Sequence, residues 1–174
     1  MANIPIEAGG GGISITPRQL ITQWQHKPHM FQVNVWNFEV KAGKAAQDIF
    51  RKSFDMKRFN DDNSTAWNPR SLSTRGSHPL MVQTSSLKNS IKWKHMDQRG
   101  SGDGGVTIYT DPNGFANTAR HRGFCYAEIH NSPNSSVRRG RIRNMPQRQF
   151  MGDSSVLDDE LDKLSAMIFK GFPL

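Results

Sequence analysis

FEVKAGKAAQDIFRKSF, residues 38–54, is the stretch on which the fold turns. Phe38, Ala42, Ala45, Ala46, Ile49 and Ser53 recur at the spacing of one helix face, while Lys41, Lys44, Asp48, Arg51 and Lys52 fall elsewhere. This predicts a long amphipathic helix from about 35 to 56. Immediately upstream, Phe31, Val33 and Val35 alternate in the manner of a strand. Further back, Thr16-Pro17 makes a good helix start, with threonine as cap and proline in the first turn. Leu20, Ile21 and Trp24 continue that short helix, which is expected to end near Lys27, before Pro28. Residues 1–16, with four glycines at Gly9–Gly12, read as a flexible N-terminal arm.

Downstream of the long helix, residues 57–79 are polar and rich in turn formers, a long loop around Trp67-Asn68-Pro69. Thr84 to Leu87 reads as a turn or a single helical turn. Ile91, Trp93 and His95 then alternate with Lys92 and Lys94, and Val106, Ile108 and Thr110 with Thr107 and Tyr109, which predicts a hairpin across a loop at 97–105. Residues 124–130 fit a strand or a short helix. Residues 132–144 form a basic loop. Val156, Leu157, Leu161, Leu164 and Ile168 mark a C-terminal helix at about 153–170, capped by Asp153 or Ser154. Asp158, Asp159 and Glu160 in its first half and Lys170 at its end suit the helix dipole. The expected architecture is α+β. An antiparallel sheet packs against a long N-terminal-half helix and a C-terminal helix, in one domain over 17–174 with long loops at 57–79, 97–105 and 132–144.

Composition narrows the chemistry. The 174 residues carry a formal charge of +8 and a mean hydropathy of −0.66, which favours an anionic partner or plain solubility. Cys125 is the single cysteine, so an intrachain disulfide is excluded and a small core residue is the expected role. No apolar run approaches the ~20 residues of a membrane helix, and the N-terminus lacks the pattern of a secretory signal. Six histidines (26, 29, 78, 95, 121, 130) include no pair at metal-binding spacing, because Pro28 separates His26 from His29. No catalytic residue, cofactor or metal is expected. Between 112 and 152 seven arginines (Arg120, Arg122, Arg138, Arg139, Arg141, Arg143, Arg148) stand against Glu128 alone. The forked guanidinium suits phosphate or carboxylate, so Arg138, Arg139, Arg141, Arg143 and Arg148 are candidates for contact with a neighbouring subunit or with DNA.

Ala45 to Phe54, Trp67-Asn68-Pro69, Leu80 to Ile91, Tyr126 to Asn131 and Met145 to Gly152 stand in an order that resembles the virion-morphogenesis and tail-completion proteins of long-tailed bacteriophages, also described as neck or minor tail components. The helix from Ala45 to Phe54 is followed by Trp67-Asn68-Pro69, similar to that family's tryptophan-x-proline. Leu80 to Ile91 resembles its "leucine, threonine, glycine, x, leucine, x, x, serine, hydrophobic", with Ser85 or Ser86 where glycine is common. Tyr126-Ala127-Glu128-Ile129-His130 resembles "tyrosine-alanine-x-isoleucine-histidine", and Pro146 to Gly152 resembles "proline-x-arginine-x-phenylalanine-leucine-glycine" before a last helix. The likeness covers about 35–170. It implies an α+β virion protein at the junction of head and tail, assembled in the host cytoplasm. Its partners would be copies of itself, as a ring or multimer, and neighbouring connector and tail proteins, with possible contact to genome DNA and none to membrane. It implies no catalytic residue. Trp67, Leu87, Tyr126, Ile129, His130, Pro146 and Phe150 would be packing residues. The alternative is a basic nucleic-acid-binding protein using the arginine-rich stretch 138–148.

Overall fold

The computed structural model describes residues 4–8, 11–15, 17–69, 80–82, 85–96, 104–111, 113, 126–131 and 146–172. Its elements are β1 (Ile4–Ala8), β2 (Gly11–Ile15), α1 (Pro17–Met56), α2 (Ser86–Asn89), β3 (Ile91–His95), β4 (Val106–Thr110), α3 (Tyr126–Asn131) and α4 (Ser155–Ser165). The fold is α+β: a small antiparallel sheet packs with the long first helix and the C-terminal helix. The chain divides into two units, Met1–Phe38 with Ser165–Leu174, and Glu39–Leu164.

In the first unit, β1 and β2 pair antiparallel from Ile4↔Ile15 to Ala8↔Gly11, within the stretch that reads from sequence as an arm. The α1 residues of this unit correct the expected break before Pro28 and the strand-like reading of 31–35. One helix of 40 residues runs through both. An interior proline forfeits one backbone hydrogen bond. Here side chains on both sides of Pro28, namely Lys27, Met30, Phe31 and Asn34, engage the segment after α4 and hold the helix through it. The alternation of Phe31, Val33 and Val35 is thus local composition overridden by helix continuity.

The second unit holds the core of Ala46, Phe50, Phe54, Phe59, Trp67, Ile91, Ala127 and Phe150. The buried stripe of α1 is Glu39, Ala42, Gly43, Ala46, Phe50, Ser53 and Phe54. It is rotated from the one expected: Phe38, Ala45 and Ile49 are only half-buried, and the large rings of Phe50 and Phe54 point inward. Each phenylalanine so buried contributes about 1.5–3 kcal/mol, which outweighs the alanine positions that the sequence pattern weights equally.

The predicted hairpin is present. β3 and β4 pair with Ile91 opposite Thr110, Trp93 opposite Ile108 and His95 opposite Val106. Ile91 is fully buried while Lys92 and Lys94 are exposed. Trp93 lies flat on α1 at Gly43, where an added Cβ would fall 2.5 Å from the indole Cδ2 and 2.9 Å from Cγ. The carbonyl of Ile91 accepts from Gln47 Nε2 at 2.6 Å and Arg51 Nη2 at 3.2 Å, fastening the sheet to the helix. Of the stretch 124–130, open between strand and helix, 126–130 fall in the short helix α3, which ends at Asn131, and 124–125 lie outside the described residues. The last helix begins where expected. Ser154 is buried, its Oγ accepts from the Leu157 amide at 3.3 Å, and its carbonyl accepts the Asp158 amide at 3.0 Å. It ends at Ser165, short of the expected 170, and residues 166–172 continue as turns.

A helix-interior glycine normally gains about 1 kcal/mol on substitution by alanine. Gly43→Ala should instead lose about 1–3 kcal/mol, because the methyl meets the face of Trp93. Urea unfolding of Gly43→Ala and of Gly43→Ala/Trp93→Leu checks this. The double variant should recover part of the loss that the first substitution causes.

Candidate functional site

The motif segments that stand far apart in sequence meet around one ring. Phe54, near the end of α1, is 1% exposed. The Phe150 ring lies 5.1 Å from it, tilted, and the Trp67 ring meets it edge-on at 5.6 Å. Such aromatic pairs add about 0.5–1.5 kcal/mol beyond their burial. Trp67 is placed by its own backbone, whose amide donates to the Lys57 carbonyl at 2.8 Å beside the Arg58↔Ala66 bridge. Its indole Nε1 donates to the Gln149 carbonyl at 2.8 Å.

The extended segment 146–151 is threaded between this loop and α3. Asn131 Oδ1, at the end of α3, accepts from the backbone amides of Phe150 (3.0 Å) and Met151 (2.9 Å). The Asn131 carbonyl accepts from Gln147 Nε2 at 2.9 Å, and the His130 carbonyl accepts the Arg148 amide at 2.8 Å. A segment with no strand partner among the described residues thus has backbone groups satisfied by one asparagine and the end of a short helix. Ser53 is fully buried, and its Oγ accepts the Asn60 amide at 3.0 Å and donates to the Phe150 carbonyl at 3.4 Å. Ser154 Oγ donates to the Asn60 carbonyl at 2.7 Å, and the Ser155 amide donates to Asp61 Oδ1 at 2.8 Å.

The candidate residues take distinct places. Trp67, Ile129 and Phe150 are buried, Leu87 is packed half-buried against the core, and Pro146 and His130 are half-buried at either side of the threaded segment. Tyr126 opens α3, and its side chain lies outside the described residues, as do Arg138, Arg139, Arg141 and Arg143. Arg148 is 7% exposed, with its Nε donating to the Asn68 carbonyl at 3.1 Å. That bond ties the Trp67 loop to segment 146–150. Ser85 adopts φ 56°, ψ 3° just before α2. That left-handed conformation is the one glycine adopts without steric cost.

Two well-partnered polar groups escaped the sequence pattern. Asn131 looks like an ordinary helix-end residue, and only the return of the chain at 150 gives it two amides to accept. Glu39, 6% exposed, faces His95 Nδ1 at 3.0 Å, next to the edge-on contact of His95 with Trp93 at 5.4 Å. No periodicity in the sequence signals that pairing, since the two residues lie on different elements. Among the described residues no three His, Cys, Asp or Glu side chains gather to hold a metal ion, and no helix is long and apolar enough to cross a membrane.

Two carboxylates are shifted. Asp61 is held below its ordinary value chiefly by the Ser155 backbone amide and then the Ser155 hydroxyl. Asp111 is lowered chiefly by its hydrogen bond to Lys92, at 2.6 Å, and then by the Asn113 amide. Lys92 is raised by the same contact. What this arrangement can do chemically is hold four distant segments in register, with polar groups spent on backbone partners.

No family model, curated protein or solved structure matches this chain.

Replacing Asn131 by alanine removes the acceptor of two partly buried amides and should cost about 2–4 kcal/mol, while Asn131→Asp, which keeps the oxygen, should lose less. Chemical denaturation distinguishes the two. For Asp61 and Asp111 the folded-state pKa lies below the unfolded one, so in the interval between them the unfolded chain binds more protons. Their stabilisation is complete above the ordinary carboxylate value and is lost as pH falls through the folded value. Melting temperature should therefore fall as the pH is taken below the ordinary carboxylate range of about 4, and Asp61→Asn should flatten that fall.

Proposed function

We propose that this chain is a structural subunit of a tailed-bacteriophage particle, a neck, head–tail joining or tail-completion component that works by assembly and not by catalysis. The observation that carries the reading is the state of α1 in the first unit. Of the described side chains from Arg18 to Phe38, only Lys27, Asn34, Val35 and Phe38 are even half-buried, yet the stretch carries Ile21 (59% exposed), Met30, Phe31, Val33 and Trp36 (53% exposed). A bare helix is marginal in water and draws its stability from packing of an apolar face. Large apolar side chains that stay more than a third exposed along one helix favour a surface that takes a further partner. The ordered series of motifs from 35 to 170 supports the virion class, and the segments in that series that the structure describes serve packing.

In this reading the subunit is assembled in the host cytoplasm and ends in the virion, next to copies of itself and to connector and tail proteins. The formal charge of +8 favours a second reading, a basic nucleic-acid-binding protein. Its mark is duplex binding that weakens steeply with added salt.

Sedimentation velocity over a wide concentration range tests the proposal. The mass should rise with concentration, rings or short stacks should appear by negative-stain microscopy, and Trp36→Glu should weaken the association about tenfold or more without unfolding the chain. A chain that stays monomeric throughout, and binds DNA with a steep salt slope, would replace it with the second reading.

A further inference from the structure

The residues after α4, 166–172, belong with the first unit and are gripped by one stripe of α1. Lys27, Met30, Phe31 and Asn34 stand at i, i+3, i+4 and i+7, a single helix face. Asn34 Nδ2 donates to the carbonyls of Ile168 (3.0 Å) and Lys170 (2.9 Å). Lys27 Nζ donates to the Gly171 carbonyl and sits 5.0 Å above the centre of the Phe172 ring. Phe31 meets Phe169 and Phe172, each at 6.2 Å between ring centres. Met30 closes over Gly171, where a Cβ would fall 2.9 Å from the methionine methyl and where φ is +84°. Two donor side chains thus read three main-chain carbonyls, while one ring receives two others, as a helix face does when it captures a short peptide.

Two properties of this grip set it apart from core packing. The three hydrogen bonds from Lys27 and Asn34 all end on main-chain carbonyls, and the contacts of Phe31 and the Lys27 ammonium fall on the Phe169 and Phe172 rings, so the stripe recognises the segment IFKGF by its backbone and its rings. The cover is also thin, with Phe169 56% and Phe31 40% exposed in the docked state. We infer that this stripe is the docking site for the C-terminal segment of a second copy of this chain, so that subunits are joined by exchange of residues 166–172. The inference rests on the assembly reading above and adds the identity of the joint.

A segment supplied by a neighbour makes the same hydrogen bonds and ring contacts as the chain's own. The balance between the two is then set by effective concentration. In dilute solution the chain's own segment occupies the stripe and holds the subunit closed. At assembly concentrations each copy gives its segment to one neighbour and receives one from another. Such a head-to-tail contact closes a ring or runs on as a filament, according to the rotation between copies.

The test is a short bismaleimide cross-linker applied to the full chain carrying Cys125→Ser, Phe31→Cys and Phe169→Cys. Products are read by denaturing gel and peptide mass. Links within one chain at low concentration, giving way to links between chains as multimers form, are expected. Multimers that carry only intrachain links overturn the exchange and leave the assembly reading standing, whereas a monomer at every concentration overturns both. Because Phe31→Cys thins the site itself, a labelled peptide of residues 165–172 is also titrated into the unmodified chain. It should bind, dissociate multimers in excess, and bind about tenfold more weakly to Asn34→Ala. A peptide that neither binds nor dissociates multimers overturns the exchange.

Discussion

The ring of Phe54 between Phe150 and Trp67 is the contact on which the second unit depends. It joins the end of a long helix, a polar loop and an extended segment that lies 96 residues further along the chain. None of these three can bury an apolar face alone. The loop has one isolated bridge, and segment 146–150 has no strand partner among the described residues. Their order follows from the aromatic contact together with the polar groups that close over it: Asn131 on two amides, the indole on the Gln149 carbonyl, and Arg148 on the Asn68 carbonyl. Removing water from this region would be costly if those backbone groups were left without partners. The apolar core and the polar clasp are therefore parts of one solution.

The same helix α1 serves opposite ends in its two parts. From Glu39 to Phe54 it presents alanines, a glycine and two phenylalanines to a core, close enough for an indole to lie on its backbone at Gly43. From Arg18 to Phe38 it carries large apolar side chains that remain largely in water, partly covered by a short aromatic segment. One helix thus combines a packed part and a largely exposed part, and the difference follows from the size of the side chains and from what lies against each.

Much of the architecture was legible because it rests on local periodicity. Period-two alternation at Ile91, Trp93 and His95 matched a hairpin, and Ser154 followed by an apolar helical repeat matched a capped helix. Periodicity also misled where its rule is averaged over a window. Pro28 read as a stop because an isolated helix loses a hydrogen bond there, whereas contacts from Lys27 through Asn34 to residues 168–172 carry the helix through. Likewise Phe38, Ala45 and Ile49 scored equally with the buried positions, though depth depends on which side chains find large partners.

From the sequence by itself came the α+β class, the two strands of the hairpin and the start of the last helix. These follow from side-chain size and spacing within one element, which do not change when the chain folds. Only the tertiary structure decided that Asn131 would clasp residues 150 and 151, that Glu39 would meet His95, that Arg148 would be buried on a backbone carbonyl, and that residues 166–172 would lie on α1. Each of these pairs groups far apart along the chain. Their energies come from excluding water between two surfaces, and that exists only once both surfaces have been brought together.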